Sequence, residues 1–359
     1  MTVLFSFNGN AAMTSRLNTQ FGGLSLRSPV VVGASPLSMN ERTRLEMEEA
    51  GAGAIVLPSL FEEQVIDWSW SHGRQLTPKE RSILGQSDRT KHHWVCPDGD
   101  SYLALVNRAS SLQDIPIIAS LNGYTAGGWM DFAGELEEAG ASAIELNVHH
   151  SGAREDGSST EIETMILDSI RDVDSAITVP LFVKLSSNFT SLPHLARQLL
   201  SGAQGMVLHG RAPKVDICLD TLRLASRWRI SSAEEGIDSL DTLMQVHSCC
   251  PAMPLAACGG VGTADHLIKV LLAGADAAMV TSAIYREGAS VIQTMLQGLV
   301  SFMEKRDMQS LQDLKLRRPL EFSCDEERTA YIAALTAHLR EKDPGSAGTE
   351  AVRREAFGI

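Results

Sequence analysis

Lys184 sits near the end of the run Pro180-Leu-Phe-Val-Lys-Leu185, an apolar strand that otherwise points into a core. An ammonium there is costly unless it meets an anion; the alternative is a solvated lysine, the ordinary state of that residue. Two asparagines occupy similar places, Asn122 after Ile117-Ile-Ala-Ser-Leu121 and Asn147 after Ile144-Glu-Leu146. Each offers a donor and an acceptor, which suits an amide-rich heterocycle. Farther along, Cys258-Gly-Gly-Val-Gly-Thr263 and Val280-Thr-Ser-Ala283 close two more apolar runs. Bare N–H groups around Gly259 and Gly260, with hydroxyls from Thr281 and Ser282, make a phosphate-binding turn where a helix begins beside them. The plainer alternative is that these glycines only permit tight turns. His149 and His150 carry a side chain that exchanges a proton near neutral pH, or else form a polar loop. No carboxylates at ligand spacing accompany them, so no metal site is expected.

Such groups need a scaffold that brings strand ends together, and an internal repeat names one. Glu49-Ala-Gly-Ala-Gly-Ala-Ile-Val-Leu57, Glu138-Ala-Gly-Ala-Ser-Ala-Ile-Glu-Leu146, Ser201-Gly-Ala-Gln-Gly-Met-Val-Leu208 and Leu272-Ala-Gly-Ala-Asp-Ala-Ala-Met-Val280 each pair a helix end with a buried strand. The glycine caps the helix in the left-handed conformation, and the unbroken apolar run suits a strand buried on both faces. Room remains between copies for one further strand and helix, which predicts an α/β fold, the TIM (β/α)8 barrel, with its chemistry at the carboxyl ends of the strands. The predicted barrel strands are Val30–Ala34, Ala54–Leu57, Ile115–Leu121, Ala143–Asn147, Pro180–Leu185, Gly205–Leu208, Pro254–Cys258 and Ala277–Thr281. Helical periodicity fills Asn40–Ala50, Asp100–Leu112, Trp129–Ala139, Ser159–Ala176, Ser191–Leu200, Leu240–Ser248, Thr263–Ala273 and Ser290–Lys305.

Around that core, Leu17–Leu26 alternates about Gly22-Gly23 and reads as an N-terminal hairpin plugging the barrel. Residues 1–16 read as a flexible N-terminus, 17–314 as the barrel, 315–342 as a C-terminal helical extension and 343–359 as a disordered tail. The extension's stripe is Tyr331, Leu335 and Leu339. Long loops follow strands 2 and 6, Leu60–Gly99 and Gly210–Gly236. The first holds Trp68, Trp70 and Trp94 with His72, His92 and His93, which argues for a lid over an apolar or aromatic ligand rather than disorder.

Bulk properties exclude several roles. The 359 residues carry a formal charge of −13 without a basic block, which argues against nucleic acid or an anionic membrane as partner. No apolar run reaches the roughly 18 residues of a membrane span. The expectation is a cytoplasmic protein acting on a small molecule, as a homodimer or with a redox partner protein. Six scattered cysteines, without a C-x-x-C pair, read as reduced thiols. Gly259-Gly-Val-Gly262 lacks the spacing of a dinucleotide-binding turn.

Together, Ser28-Pro-Val-Val-Val-Gly-Ala-Ser-Pro36, Ile118-Ala-Ser-Leu-Asn-Gly123, Glu145-Leu-Asn147, Val183-Lys-Leu185, Cys258-Gly-Gly260 and the end of strand 8 resemble the class 1 dihydroorotate dehydrogenase family. The likeness runs from about Leu17 to Leu314 and is closest to the family's bacterial dihydroorotate dehydrogenase-like flavoprotein branch. It implies an FMN-dependent oxidoreductase of pyrimidine-metabolism type, with hydride passing between a CH–CH substrate and flavin N5. It further implies that Ala34 and Ser35 border the isoalloxazine and that Asn122 and Asn147 bond in its neighbourhood. Lys184 would stabilise charge on reduced flavin, and Gly259, Gly260, Thr281 and Ser282 would hold the phosphate. The resemblance departs at the substrate. Pro58 stands where the family has a lysine after strand 2, His150 where it has its cysteine or serine base, and Gly152 where an asparagine grips substrate. Leu208-His-Gly-Arg-Ala212 lacks a further asparagine. The resemblance, with these departures, implies His150 and Lys184 as catalytic groups and a substrate other than dihydroorotate. A barrel without catalysis, serving as an assembly partner, and a flavin-free phosphate-binding lyase with Lys184 as Schiff-base lysine are the alternatives.

Overall fold

The computed structural model describes residues 15–86, 95–123, 129–148, 157–210, 214–227, 229–232, 239–318, 328–329 and 331–333. Two compact units divide the chain, Met1–Arg318 and Pro319–Ile359. In the second, Arg328–Thr329 and Tyr331–Ala333 are helical; Leu335, Leu339 and the expected tail lie outside the described residues, as does the expected flexible start through Thr14.

Among the described residues, twelve strands form the first unit's sheets: β1 (Thr19–Phe21), β2 (Leu24–Leu26), β3 (Val30–Val32), β4 (Ala54–Phe61), β5 (Ile117–Gly123), β6 (Ala143–Val148), β7 (Leu181–Leu185), β8 (Gly205–Leu208), β9 (Lys214–Cys218), β10 (Arg223–Arg227), β11 (Leu255–Cys258) and β12 (Ala277–Val280). Eight of them close a parallel barrel in the order β11-β12-β3-β4-β5-β6-β7-β8. All eight predicted barrel strands are present, and each predicted helix is found to within one or two residues at either end. The fold is a TIM barrel.

Three of the four repeat glycines act as expected. Gly51, Gly140 and Gly274 take φ of 104°, 101° and 122°. In each case the next residue's N–H reaches back to a carbonyl five residues earlier (Ala52 to Met47, Ala141 to Leu136, Ala275 to Val270), the bond that ends a helix through a left-handed residue. Gly202 differs. Ala203 instead donates to Leu199, and a Cβ on Gly202 would lie 3.4 Å from Ile170 and 3.5 Å from Arg171. Its smallness serves packing against the neighbouring helix.

The β1–β2 hairpin plugs the barrel as predicted. Phe21, Leu24 and Leu26 share one apolar cluster with the inward residues Val31, Val56, Phe182 and Val207. The Phe21 and Phe182 rings lie 4.4 Å apart. Gly22, at φ 51°, touches the barrel so closely that a Cβ would sit 2.4 Å from the Gln204 carbonyl oxygen.

Both long connections carry more structure than loops. After strand 2 of the barrel, β4 runs on to Phe61, and helices Glu62–Ser71 and Pro78–Gln86 follow. Trp68 does not reach over the barrel mouth. Its indole donates to Asp100 at 2.8 Å, stacks on His72 and meets Phe132 edge-on, so it packs the helical layer. Trp70 is exposed, and Trp94, His92 and His93 lie outside the described residues. After β8 comes the antiparallel hairpin β9–β10, whose Val215, Ile217 and Leu224 share a face by register and are 58–79% exposed.

Candidate functional site

Strand register assembles the site. Asn122 pairs with Asn147, and Asn147 with Lys184, so the three stand in one row across the carboxyl ends of β5, β6 and β7. One layer deeper, Ser59, Ser120 and Glu145 form a second row across β4, β5 and β6. Period-2 alternation turns both rows to the same face of the barrel wall.

The anion that Lys184 requires is Glu145. Its two carboxylate oxygens lie 3.0 and 3.1 Å from the Lys184 ammonium, with the carboxylate side chain fully buried and the lysine's 8% exposed. Burial alone would lower the lysine's proton affinity, but the Glu145 charge, aided by Cys258, outweighs it and holds the ammonium above the ordinary lysine range. The Ser120 hydroxyl donates to Glu145 at 3.3 Å and lies 2.8 Å from that of Ser59. The buried Tyr102 hydroxyl accepts from the Ser120 N–H at 2.8 Å and donates to its carbonyl at 3.2 Å, fixing that stretch of β5. Burial pushes the Tyr102 phenol well above its usual value. The sequence reading missed this cluster. The signal was the same alternation, since Ser120 and Glu145 each precede an inward asparagine by two residues.

The strand ends around this row are shaped by glycine. Gly210 follows β8, and a Cβ there would lie 3.1 Å from Asn147 Oδ1 and 3.2 Å from Lys184 Cγ. A Cβ on Gly33, after β3, would lie 2.5 Å from the Thr281 hydroxyl. Ala34 packs against the inner barrel cluster, and next to it Ser35 is buried, its hydroxyl without a hydrogen-bond partner among the described residues. Gly259 and Gly260 have φ of 98° and 72°, and open space surrounds the position a Gly259 Cβ would take. Thr281 precedes the short helix Ser282–Glu287. The Ser282 hydroxyl is already engaged: it accepts from the Ser231 N–H at 2.9 Å and donates to its hydroxyl at 3.2 Å. Arg286 closes this side by donating to the Ser231 carbonyl at 2.7 Å. These features fit a flat polar ring and an attached phosphate: an orphaned buried hydroxyl at Ser35, space beside a glycine turn, and amides in a row.

His209 follows β8, in the segment where the resemblance leads one to expect an asparagine. Its backbone N–H donates to the Cys258 carbonyl at 3.0 Å, and its Nδ1 is buried without a partner among the described residues. Burial lowers its affinity for a proton. His149, His150 and Gly152 lie outside the described residues. Free thiols are seen at Cys96, Cys218, Cys249, Cys250 and Cys258; Cys324 lies outside the described residues. No helix among the described residues is long and apolar enough to cross a membrane.

The class is a TIM-barrel protein with a lysine and two asparagines at neighbouring strand ends and a bare glycine turn after the seventh strand. Residues 98–303 match the dihydroorotate dehydrogenase family. The chain belongs to that family, whose members are flavin-dependent oxidoreductases acting on a CH–CH bond. It is 27% identical over 305 residues to an Aeropyrum pernix protein named for dihydroorotate dehydrogenase A (fumarate), covering 83% of this chain and 96% of that one. It is 24% identical to the catalytic subunit of dihydroorotate dehydrogenase B (NAD(+)) of Thermoplasma acidophilum, over 83% and 97% of the two chains. A Limosilactobacillus reuteri dihydroorotate dehydrogenase A (fumarate) is 23% identical over 76% and 89%.

Proposed function

We propose that the protein is an FMN-dependent oxidoreductase whose substrate is not dihydroorotate. The observation that carries the cofactor reading is the row Asn122–Asn147–Lys184 beside the glycine at 210, facing the Ser35 hydroxyl's wall and the Gly259-Gly260 turn. Bound there, FMN would supply a hydride acceptor at its N5. Asn122 and Asn147 would orient the ring by amide hydrogen bonds. Lys184 would present positive charge where negative charge develops, as preorganised electrostatic stabilisation. Gly259, Gly260 and Thr281 would hold the phosphate; the Ser282 hydroxyl, tied to Ser231, would serve less than its backbone N–H. His150 would carry the substrate's proton, its ordinary pKa suiting a base at neutral pH.

The substrate reading rests on three positions. Pro58 can neither donate a hydrogen bond nor carry charge. Gly152 has no side chain, and Leu208-His-Gly-Arg-Ala212 has no asparagine amide to offer. A site that loses hydrogen bonds to its substrate loses on the order of 10⁴-fold in selectivity. The ion pair with Glu145 disfavours the Schiff-base alternative, because a lysine held protonated is no nucleophile. A second subunit also belongs to this reading. Its seat would be the outward apolar face of β9–β10, since monomers rarely expose contiguous apolar patches of that kind; light scattering at a dimer's mass checks it.

The deciding experiment is the visible spectrum of the purified protein, followed by anaerobic mixing with dihydroorotate. A yellow protein containing FMN that stays yellow on mixing is the expected result. Colourless protein that takes up no added FMN refutes the cofactor reading, and rapid full bleaching at micromolar dihydroorotate refutes the substrate reading.

A further inference from the structure

We propose that Glu145 is a positioning residue for Lys184: its buried carboxylate keeps the ammonium charged and fixed, and thereby sets the pH range over which the site stabilises a reduced flavin. The second half rests on the FMN reading above; the first stands on the protein alone.

Four observations converge. Glu145 is fully buried in the inner wall, so its charge has no solvent to compensate it, and both oxygens address the same ammonium. The carboxylate is also held from behind. Ser120 spends its hydroxyl proton on Glu145, so the Ser59 hydroxyl must donate to Ser120, and the two form a chain aimed at the carboxylate. Tyr102 anchors the Ser120 backbone from the helix Gly99–Leu112. Finally, the β8 end borders the lysine stem closely, since a Cβ on Gly210 would lie 3.2 Å from Lys184 Cγ. A carboxylate so braced cannot turn away to follow the lysine; the lysine is placed by it.

The groups facing Lys184 are few. Glu145 comes from β6 and the Cys258 thiol from β11, while the Tyr102 hydroxyl bears on Glu145 from the surrounding helix. Among these groups Glu145 is the chief anion offsetting the burial of the ammonium. With Glu145 neutral, desolvation would go unopposed and the lysine would release its proton within a far more acidic range. Glu145 also stands one register row deeper than Lys184, so the positive end of the pair is the one nearer the row of asparagines. A charge developing at that row meets the ammonium first.

The test uses the full-length protein and two readouts. In cofactor-free protein labelled with ¹⁵N-lysine, the Lys184 Nζ resonance is assigned from its absence in Lys184→Arg and followed with pH. Wild type should remain protonated throughout the range in which the fold survives. Glu145→Gln should titrate at least tenfold more readily, that is, one pH unit or more lower. Glu145→Asp should recover part of the shift, and Ser120→Ala, which keeps the charge and removes its brace, should move it less in the same direction as Gln. If Glu145→Gln does not fold, the Asp and Ala variants carry the comparison. In FMN-loaded protein, the flavin potential of Glu145→Gln should show a break with pH where Lys184 deprotonates, absent from wild type. A Lys184 resonance that titrates alike in all variants overturns the proposal. A shifted resonance with no break in potential overturns the flavin half alone, and wild type that binds no FMN overturns the cofactor reading while the resonance still judges the ion pair.

Discussion

Replacing Lys184 by methionine removes the ammonium and keeps most of the apolar stem. At an N···O distance of 3.0 Å and an effective dielectric of about 20, one charge pair is worth roughly 5 to 6 kcal/mol. Desolvating the two ions costs several kcal/mol each, so the intact pair is close to neutral relative to well-packed apolar residues. The single substitution breaks that balance. It forfeits the attraction and leaves the Glu145 carboxylate buried, with only the Ser120 hydroxyl as donor among the described contacts. The expected loss is about 3–5 kcal/mol of unfolding free energy at pH 7.5. The double variant Lys184→Met/Glu145→Leu removes both charges and should recover most of it, giving a large favourable coupling in the double-mutant cycle. Urea unfolding of the cofactor-free proteins, followed by circular dichroism, measures all four corners. A single variant within about 1 kcal/mol of wild type, or a double variant no more stable than the single, would refute the buried ion pair as the element holding this wall.

Gly260→Asp should weaken FMN binding at least tenfold, by charge and bulk against a phosphate, while far-UV dichroism stays native because aspartate tolerates the left-handed backbone seen there; undiminished FMN content would move the phosphate elsewhere. Gly22→Val should cost about 3 kcal/mol, from left-handed strain and overpacking against Gln204 and Phe182, and an unchanged urea midpoint would place the hairpin outside the barrel end. His209 and His247 both bind protons less readily than an ordinary histidine, His209 through burial and His247 through burial with Arg318 and Lys315 nearby. Their folded-state values are depressed, so the unfolded chain binds more protons once pH falls to about 6.5, and stability present above that point declines as pH falls further. The decline in urea midpoint should be shallower in His209→Gln/His247→Gln, and an identical slope would assign it to other groups.

The barrel was readable because four strands repeat an apolar run after a glycine step, with room between copies for one more strand and helix, a pattern that needs no knowledge of neighbours. Pairing between strands is different. Alternation indicates that Glu145 faces inward, but only the register of β6 against β7 brings it under Lys184. Hence the need for an anion was legible and its identity was not. The connection after β4 was misjudged for a local reason: Pro58 and the polar Ser59 look like the end of a strand, whereas the chain continues to Phe61. The helix that follows, with buried Val65 and Ile66 on one side, is short and mixed in polarity, so its period is weak. Gly202 shows the same limit in reverse, since a repeat that predicts one backbone conformation contains a copy retained for space.

The departure at Pro58 and the cluster around Glu145 meet on one strand. Pro58 has no N–H to give the ladder, and the β4–β5 pairing shifts register between Val56 and Ser59. That irregularity is what sets Ser59 opposite Ser120, and Ser120 is the residue that braces Glu145. A lysine after this strand, which the family resemblance leads one to expect, would bring a second cation toward a wall that already holds a matched pair. Here the strand end brings a hydroxyl instead. The wall therefore balances one carboxylate against one ammonium, and a negative charge arriving at the row of asparagines meets Lys184. The loss of the expected lysine and the presence of the serine chain are, in this geometry, two consequences of the same proline.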